Sequence, residues 1–109
     1  MKATSIALAV AALAFAGSAA ASLDDKKAND LMTKAGCAAC HKVDGKSVGP
    51  AYKDVAKKYA GKPEMVATLA AKVRKGGAGV WGPVPMAPTG PDKISDGDLK
   101  ELIEWILKR

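Results

Sequence analysis

The chain has 109 residues, a formal net charge of +6, two cysteines and one histidine. A chain of this length predicts one small domain, and such domains commonly rely on a disulfide, a metal or a cofactor for stability. The basic charge suits nucleic acid, anionic lipid or an acidic protein partner. Because the lysines are spread along the chain with few aromatic residues between them, the charge pattern does not favour a nucleic-acid interface.

The first 21 residues have the order of a secretory signal peptide. Lys2 precedes an apolar run from Ile6 to Phe15, and Ala19-Ala20-Ala21 meets the small-x-small requirement for cleavage. We expect cleavage before Ser22, within one or two residues, a mature domain over 22–109, and export to a bacterial periplasm. The alternative is an uncleaved anchor, but the run is alanine-rich and shorter than the roughly 20 apolar residues a span needs. Export also excludes nucleic acid as a partner.

Four short helices are predicted after this segment, because apolar residues recur there at steps of three and four. Acidic residues, prolines or a serine suited to capping stand at the predicted starts, and glycines or basic residues stand at the ends. The predicted segments, in chain order, are 24–36, 50–61, 63–76 and 95–109.

The stretch GGAGVWGPVPMAPTGP, from Gly76 to Pro91, predicts an ordered loop. Its glycines and prolines are too dense for a helix or a central strand to persist. Because Val80, Trp81, Val84 and Met86 make it too apolar for a solvated linker, we expect it to pack over something apolar. No alternating strand pattern is visible, so the predicted fold class is all-α.

Both cysteines and the histidine lie in Cys37-Ala38-Ala39-Cys40-His41. A redox dithiol of the thioredoxin kind would need a preceding strand, and a disulfide would close a very small loop and leave His41 without a role. A zinc site would need four ligands, which the mature chain cannot supply from Cys and His. The C-x-x-C-H spacing instead predicts one covalently attached haem c, with Cys37 and Cys40 bonded to its vinyl groups and His41 ligating the iron.

The second axial ligand must come from another residue type, because no other histidine exists. Met32 and Met65 lie in helical apolar patterns, which predicts core packing for both. Met86 lies between prolines in Val84-Pro85-Met86-Ala87-Pro88, and a stiffened thioether loses little entropy on binding iron. We therefore expect Met86 to be the distal ligand.

With these features the chain resembles the small bacterial class I monohaem cytochromes c, of the c-551/c-552 type. The likeness covers the predicted mature chain and rests on CAACH at 37–41, VGPA at 48–51, GVWGPVPM at 79–86 and the last helix with Trp105. It implies four to five short helices wrapped around one haem, and a soluble periplasmic carrier of single electrons between respiratory partners. It implies no enzyme activity.

The resemblance also implies roles for single residues. Pro50 matches the proline whose carbonyl accepts the Nδ1 hydrogen of the iron-bound histidine, and Trp81 matches the tryptophan whose indole meets a haem propionate. Lys72 or Arg74 could pair with a propionate, although a solvated helix face is the simpler role for each. Trp105 is expected to pack the terminal helices together.

The chain departs from the family pattern on the methionine side. Ala87 stands where many relatives have a second proline, and Thr89 stands where they have an asparagine near the sulfur. The stretch from Thr89 to Ile94 is also longer than usual. Ligation by Met86 is still expected, but hydrogen bonding near its sulfur, and hence the reduction potential, would differ.

The expected partners are redox proteins with acidic docking surfaces, such as a terminal oxidase, a nitrite reductase, a peroxidase or an upstream cytochrome complex. Lysines such as Lys42 and Lys46 would steer a monomeric carrier to them. The alternative function is an open-site haem protein, a gas sensor or peroxidase-like enzyme, which requires Met86 to be absent from the iron or easily displaced. A third interpretation is a haem subunit of one large complex.

Overall fold

The computed structural model describes residues 23–109, so the predicted signal peptide, 1–21, lies outside the described residues. The α-helices are α1 (Asp25–Lys34), α2 (Tyr52–Lys58), α3 (Met65–Lys75) and α4 (Asp96–Ile106), and a 3-10 turn covers Cys37–Ala39. One antiparallel hairpin, β1 (Gly77–Gly79) and β2 (Gly82–Met86), follows α3. The predicted helical fold class is therefore confirmed. Over residues 23–109, every helix is too short or too polar to cross a membrane.

The first and last helices begin as their sequences predict. At α1, the Asp24 carboxylate accepts a hydrogen bond from the Lys27 N–H at 2.7 Å, and Gly36 follows the helix with φ of 82°. At α4, the Ser95 hydroxyl accepts from the Asp98 N–H at 3.2 Å. Side-chain oxygens thus satisfy amides that a helix leaves without partners at its first turn.

The second helix begins two residues later than predicted. Pro50 lies outside α2, and the helix starts at Tyr52. The amides of Tyr52 and Lys53 donate to the carbonyls of Lys42 and Val43, at 2.9 and 3.1 Å. Because a distant backbone segment caps this helix, no capping side chain is needed, and the Pro50 carbonyl points elsewhere. The start of α2 is tied to the chain directly after the cysteine motif.

The hairpin corrects the expectation that no strand forms between Gly76 and Pro91. Its paired residues are Gly77 with Met86 and Gly79 with Gly82. Pro83 and Pro85 fall between these paired positions, so their missing N–H groups cost no ladder hydrogen bond. Most of its residues are exposed, so it lacks the alternation of apolar and polar residues that reveals a half-buried strand in a sequence.

The core forms around α4, which packs against each of the other three α-helices. Its buried residues are Leu23, Ala28, Met32, Tyr52, Ile94, Leu99, Leu102, Ile103 and Trp105. The predicted packing roles of Met32 and Trp105 are therefore confirmed. The Trp105 indole N–H also donates to the Asp25 carboxylate at 3.0 Å, which joins the last helix to the first.

The hairpin and its turn expose large apolar side chains that no other described residue buries. Val80, Trp81 and Val84 are 58%, 42% and 60% exposed, and Val48, in the loop between the cysteine motif and α2, is 54% exposed. The other described residues do not cover these apolar surfaces. They lie in the two segments that carry His41 and Met86, and exposed apolar surface of this kind suits contact with an apolar group.

Candidate haem site

The cysteine motif forms one tight turn. The Cys37 carbonyl accepts hydrogen bonds from the amides of Cys40 and His41, at 3.1 and 2.9 Å. Gly36 precedes the turn in the left-handed region, which suits glycine. Both thiols and the imidazole therefore come from a single turn of backbone.

The two thiols of this turn differ in environment. Cys37 is half-buried and Cys40 is exposed, and neither forms a disulfide. Burial raises the pKa of the Cys37 thiol, and hydrogen bonds from its backbone and from Tyr52 oppose that rise. Burial also raises the pKa of Tyr52, and the adjacent Cys37 thiolate charge adds to it.

The imidazole of His41 is held by two neighbours. Its Nδ1 lies 2.9 Å from the Pro50 carbonyl oxygen, and its ring is stacked on Tyr52 with centroids 5.2 Å apart and planes 17° from parallel. A carbonyl oxygen can only accept, so the hydrogen sits on Nδ1 and the lone pair of Nε2 is available to a metal. The fold thus fixes both the tautomer and the plane of the ring.

Gly49 permits this placement of the ring. A Cβ at position 49 would overlap His41 Cε1 and would lie 2.8 Å from Nδ1 and 3.0 Å from Nε2. The Gly49 amide also donates to the Cys40 carbonyl at 2.7 Å. Sequence analysis assigned no role to Gly49 or to the stacking of Tyr52. The glycine directly before Pro50 is the sequence feature that could have indicated this contact. Only a residue without a side chain lets the backbone come this close to a ring.

Met86 is the last residue of β2 and is half-buried. Its carbonyl lies against Gly76, where a Cβ would overlap Met86 O and would lie 2.8 Å from Pro88 N. The backbone around Met86 therefore crosses directly over the end of α3. The methionine is carried by a strand and a helix end rather than by a free loop.

Comparison with known proteins identifies the family of a chain with this arrangement. The family described as Cytochrome c matches residues 26–109. The chain belongs to the cytochrome c family. It is 53% identical over 79 residues to cytochrome c2 of Rubrivivax gelatinosus, covering 72% of this chain and 93% of that protein. It is 50% identical to cytochrome c-552 of Nitrosomonas europaea over 78 residues, which are 72% of this chain and 74% of that one.

Solved structures of this family share the fold. The crystal structure of Nitrosomonas europaea cytochrome c552 superposes with a TM-score of 0.66 at 49% identity, over 73% of this chain and 96% of that chain. Class 1 cytochrome MtoD from Sideroxydans lithotrophicus ES-1 superposes with a TM-score of 0.68 at 34% identity, over 79% and 96%. The predicted class I cytochrome c fold is confirmed.

The cofactor of this cytochrome c is one covalently attached haem c with its iron. The residues present fit that group. Two cysteines and a histidine share one turn, and the His41 Nδ1 donates to the Pro50 carbonyl. Gly49 leaves room for the His41 imidazole in this position. The chain is an electron-transfer haem protein and not an enzyme, as its family and its relatives' names indicate.

Two of the residues assigned to the propionates have other neighbours in the structure. The Lys58 ammonium lies 5.4 Å from the centre of the Trp81 ring and 5.9 Å from that of Tyr59, so a cation–π contact links α2 to the hairpin turn. Arg74 is part-buried and is bonded to backbone in the structure. Its guanidinium donates to the carbonyls of Thr89 and Ile94, at 3.2 and 2.9 Å.

Proposed function

We propose that this cytochrome c is an exported periplasmic carrier of single electrons with histidine and methionine as axial iron ligands. Cys37 and Cys40 would hold the haem through thioether bonds, His41 Nε2 would bind the iron from one face and Met86 sulfur from the other. The 2.9 Å contact between His41 Nδ1 and the Pro50 carbonyl carries this proposal, because it leaves Nε2 as the free donor.

When bound, the haem supplies an iron that gains and loses one electron between Fe(II) and Fe(III). The residues of the chain keep the surroundings of that iron constant. The Pro50 carbonyl, the Tyr52 ring and the Gly49 backbone hold the His41 imidazole in one plane. Two firm ligands need little movement when the charge changes, which favours fast transfer. A thioether ligand favours Fe(II) and raises the reduction potential.

The positions of the three methionines of the predicted mature chain support Met86 as the distal ligand. Met32 is 4% exposed in the core, and Met65 lies at the start of α3, on the segment that packs against α4. Met86 is half-buried on the hairpin, in the segment that carries the exposed apolar surfaces of Trp81 and Val84. Met86 is thus the methionine that lies outside the helices, on the hairpin that bears this exposed apolar surface.

We also propose that residues 1–21 form a cleaved signal peptide and that 22–109 is the mature domain. The family match begins at residue 26 and runs to the last residue, which leaves the leading segment outside the domain. The carrier would act as a monomer and dock acidic surfaces of respiratory redox proteins. Lys42 and Lys46 are exposed in the loop that follows His41, where their charges can steer such partners.

The optical spectrum of the purified holoprotein tests the axial ligands. We expect the oxidised protein to show the weak far-red band of sulfur-to-ferric-iron charge transfer, and we expect Met86→Ala to abolish it. Met65→Ala is the matched control, because it removes a second half-buried thioether and should leave the band unchanged. Carbon monoxide should not change the spectrum of the reduced wild type.

A wild-type protein that lacks the far-red band and readily binds carbon monoxide would contradict this proposal. The open-site interpretation, a gas sensor or peroxidase-like enzyme, would then replace the electron carrier. A band that persists in Met86→Ala and disappears in Met65→Ala would move the distal ligand to α3.

A further inference from the structure

The segment that follows Met86 is fastened to α3 by one arginine. Arg74 Nη1 donates to the Thr89 carbonyl at 3.2 Å, and Nη2 donates to the Ile94 carbonyl at 2.9 Å. Nη2 also lies 2.7 Å from Asp96 Oδ1 at the start of α4. One side chain therefore holds both ends of the stretch from Thr89 to Ile94.

Backbone contacts hold the same segment against the same end of α3. The Thr89 amide donates to the Val73 carbonyl at 2.9 Å, and Thr89 is buried. Nearer to Met86, the backbone from Met86 to Pro88 lies against Gly76. We call residues 86–94 the methionine strap. Its contacts with α3 fall on residues 73 to 77 of that helix end and of β1.

We propose that Arg74 is a positioning residue for Met86, holding the methionine strap closed so that the thioether stays on the iron. This inference rests on the proposed ligation by Met86 and adds the residue that controls its strength.

The chemistry of the side chain explains why an arginine stands at this position. A guanidinium presents several N–H groups in a fixed planar fork, so it can serve two carbonyls and a carboxylate together. The Arg74 side chain is 21% exposed, whereas its partner Asp96 is 95% exposed. The two carbonyl bonds are therefore the better shielded part of the contact, and Asp96 mainly orients the fork.

The strap must open before another ligand can reach the distal side of the iron. The rate at which an external ligand binds then depends on the small fraction of molecules in which Met86 has left the iron. Contacts that exist only in the closed strap lower that fraction. Removing the Arg74 contacts should raise ligand binding without displacing His41, because its contacts, with Pro50 and Tyr52, lie outside the strap.

Cyanide binding to the ferric holoprotein measures this opening. We expect Arg74→Gln to bind cyanide about tenfold faster than wild type, since the charge-assisted hydrogen bonds to two carbonyls and to Asp96 are lost. Arg74→Lys keeps the charge but not the fork and should give a smaller increase. Asp96→Asn, at an exposed position that does not threaten folding, should give about a twofold increase. Amide hydrogen exchange of Thr89 should accelerate in the same order.

Two control variants separate the proposal from general effects. Lys75→Gln removes one positive charge from the adjacent, exposed position of α3 and should leave the cyanide rate unchanged. Trp105→Phe removes the hydrogen bond to Asp25, which joins α4 to α1 and involves neither Arg74 nor the backbone of the methionine strap. It should lower the midpoint of unfolding without speeding cyanide binding.

The result that supports the proposal is faster cyanide binding and Thr89 exchange in the Arg74 variants alone. If wild type has the far-red band but Arg74→Gln binds cyanide no faster than Lys75→Gln, this inference is overturned and the axial ligands stand. If Trp105→Phe accelerates binding as much as Arg74→Gln, the effect is general instability and the inference is also overturned. A wild type without the band overturns the ligand assignment and this inference together.

Discussion

The two sides of the haem site are held in different ways. On the histidine side, the contacts that orient His41 come from within residues 37–52: the turn closes on the Cys37 carbonyl, and the Pro50 carbonyl and Tyr52 ring hold His41. On the methionine side, the contacts come from another element. Gly76 and Arg74, at the end of α3, hold the backbone that carries Met86.

This difference has a thermodynamic consequence. Short-range contacts persist as long as their own loop is ordered, whereas contacts between elements are lost whenever those elements separate. We therefore expect the histidine to stay bound under mild stress and the methionine to leave first. The presence of Arg74 on the methionine side fits this view, because that side depends on α3 staying in place.

The largest effect is expected from Gly49→Ala. The new methyl group overlaps the His41 ring, which the Pro50 carbonyl holds in place. We expect the free energy of unfolding of the ferric holoprotein to fall by about 3 kcal/mol, the upper end for overpacking. Denaturant titration measures it, with the exposed Val48→Ala as control. An unchanged denaturation midpoint would mean that the His41 ring moves aside at little energetic cost and that the histidine side is not rigid.

A smaller effect, confined to the methionine side, is expected from Gly76→Ala. The residue has φ of 67° and its new Cβ overlaps Met86 O, so strain and overlap together should cost about 2 kcal/mol. Gly61→Ala is a close match, with φ of 72° and open space around it, and should cost about 1 kcal/mol from strain alone.

The far-red band distinguishes these two glycine variants. It should weaken in Gly76→Ala and stay at wild-type strength in Gly61→Ala, because only the first displaces the backbone of Met86. Equal bands in both variants would show that the close approach at Gly76 does not position the methionine.

The smallest effect, on neither side, is expected from Gly97→Ala. Gly97 lies in the first turn of α4 with open space around its Cα, so alanine adds helix propensity without a clash. The free energy of unfolding should rise by about 0.5 kcal/mol. The spectrum and the cyanide rate should match those of wild type. A change in the spectrum or in the cyanide rate would mean that stabilising α4 also stabilises the closed strap, through the contact of Asp96 with Arg74.

The local features of this protein could be predicted from its sequence because each depends on neighbouring residues. The spacing of apolar residues predicted four α-helices, and the caps at Asp24 and Ser95 were visible in side-chain type. The start of α2 was predicted two residues too early, because the backbone carbonyls of Lys42 and Val43 cap this helix. A cap made by backbone cannot be recognised from residue types. The hairpin was missed because its pairing leaves both faces largely exposed.

The sequence by itself determined the chemistry of the site. The spacing of Cys37, Cys40 and His41 predicted the haem, and family resemblance predicted the fold that comparison confirmed. Only the tertiary structure decided how the two ligand-bearing segments are held. Arg74 reads as a solvated helix residue in sequence, and its partners are carbonyls at 89 and 94. Backbone acceptors are present at every residue, so only the packing of α3 against the strap decides which two the guanidinium meets.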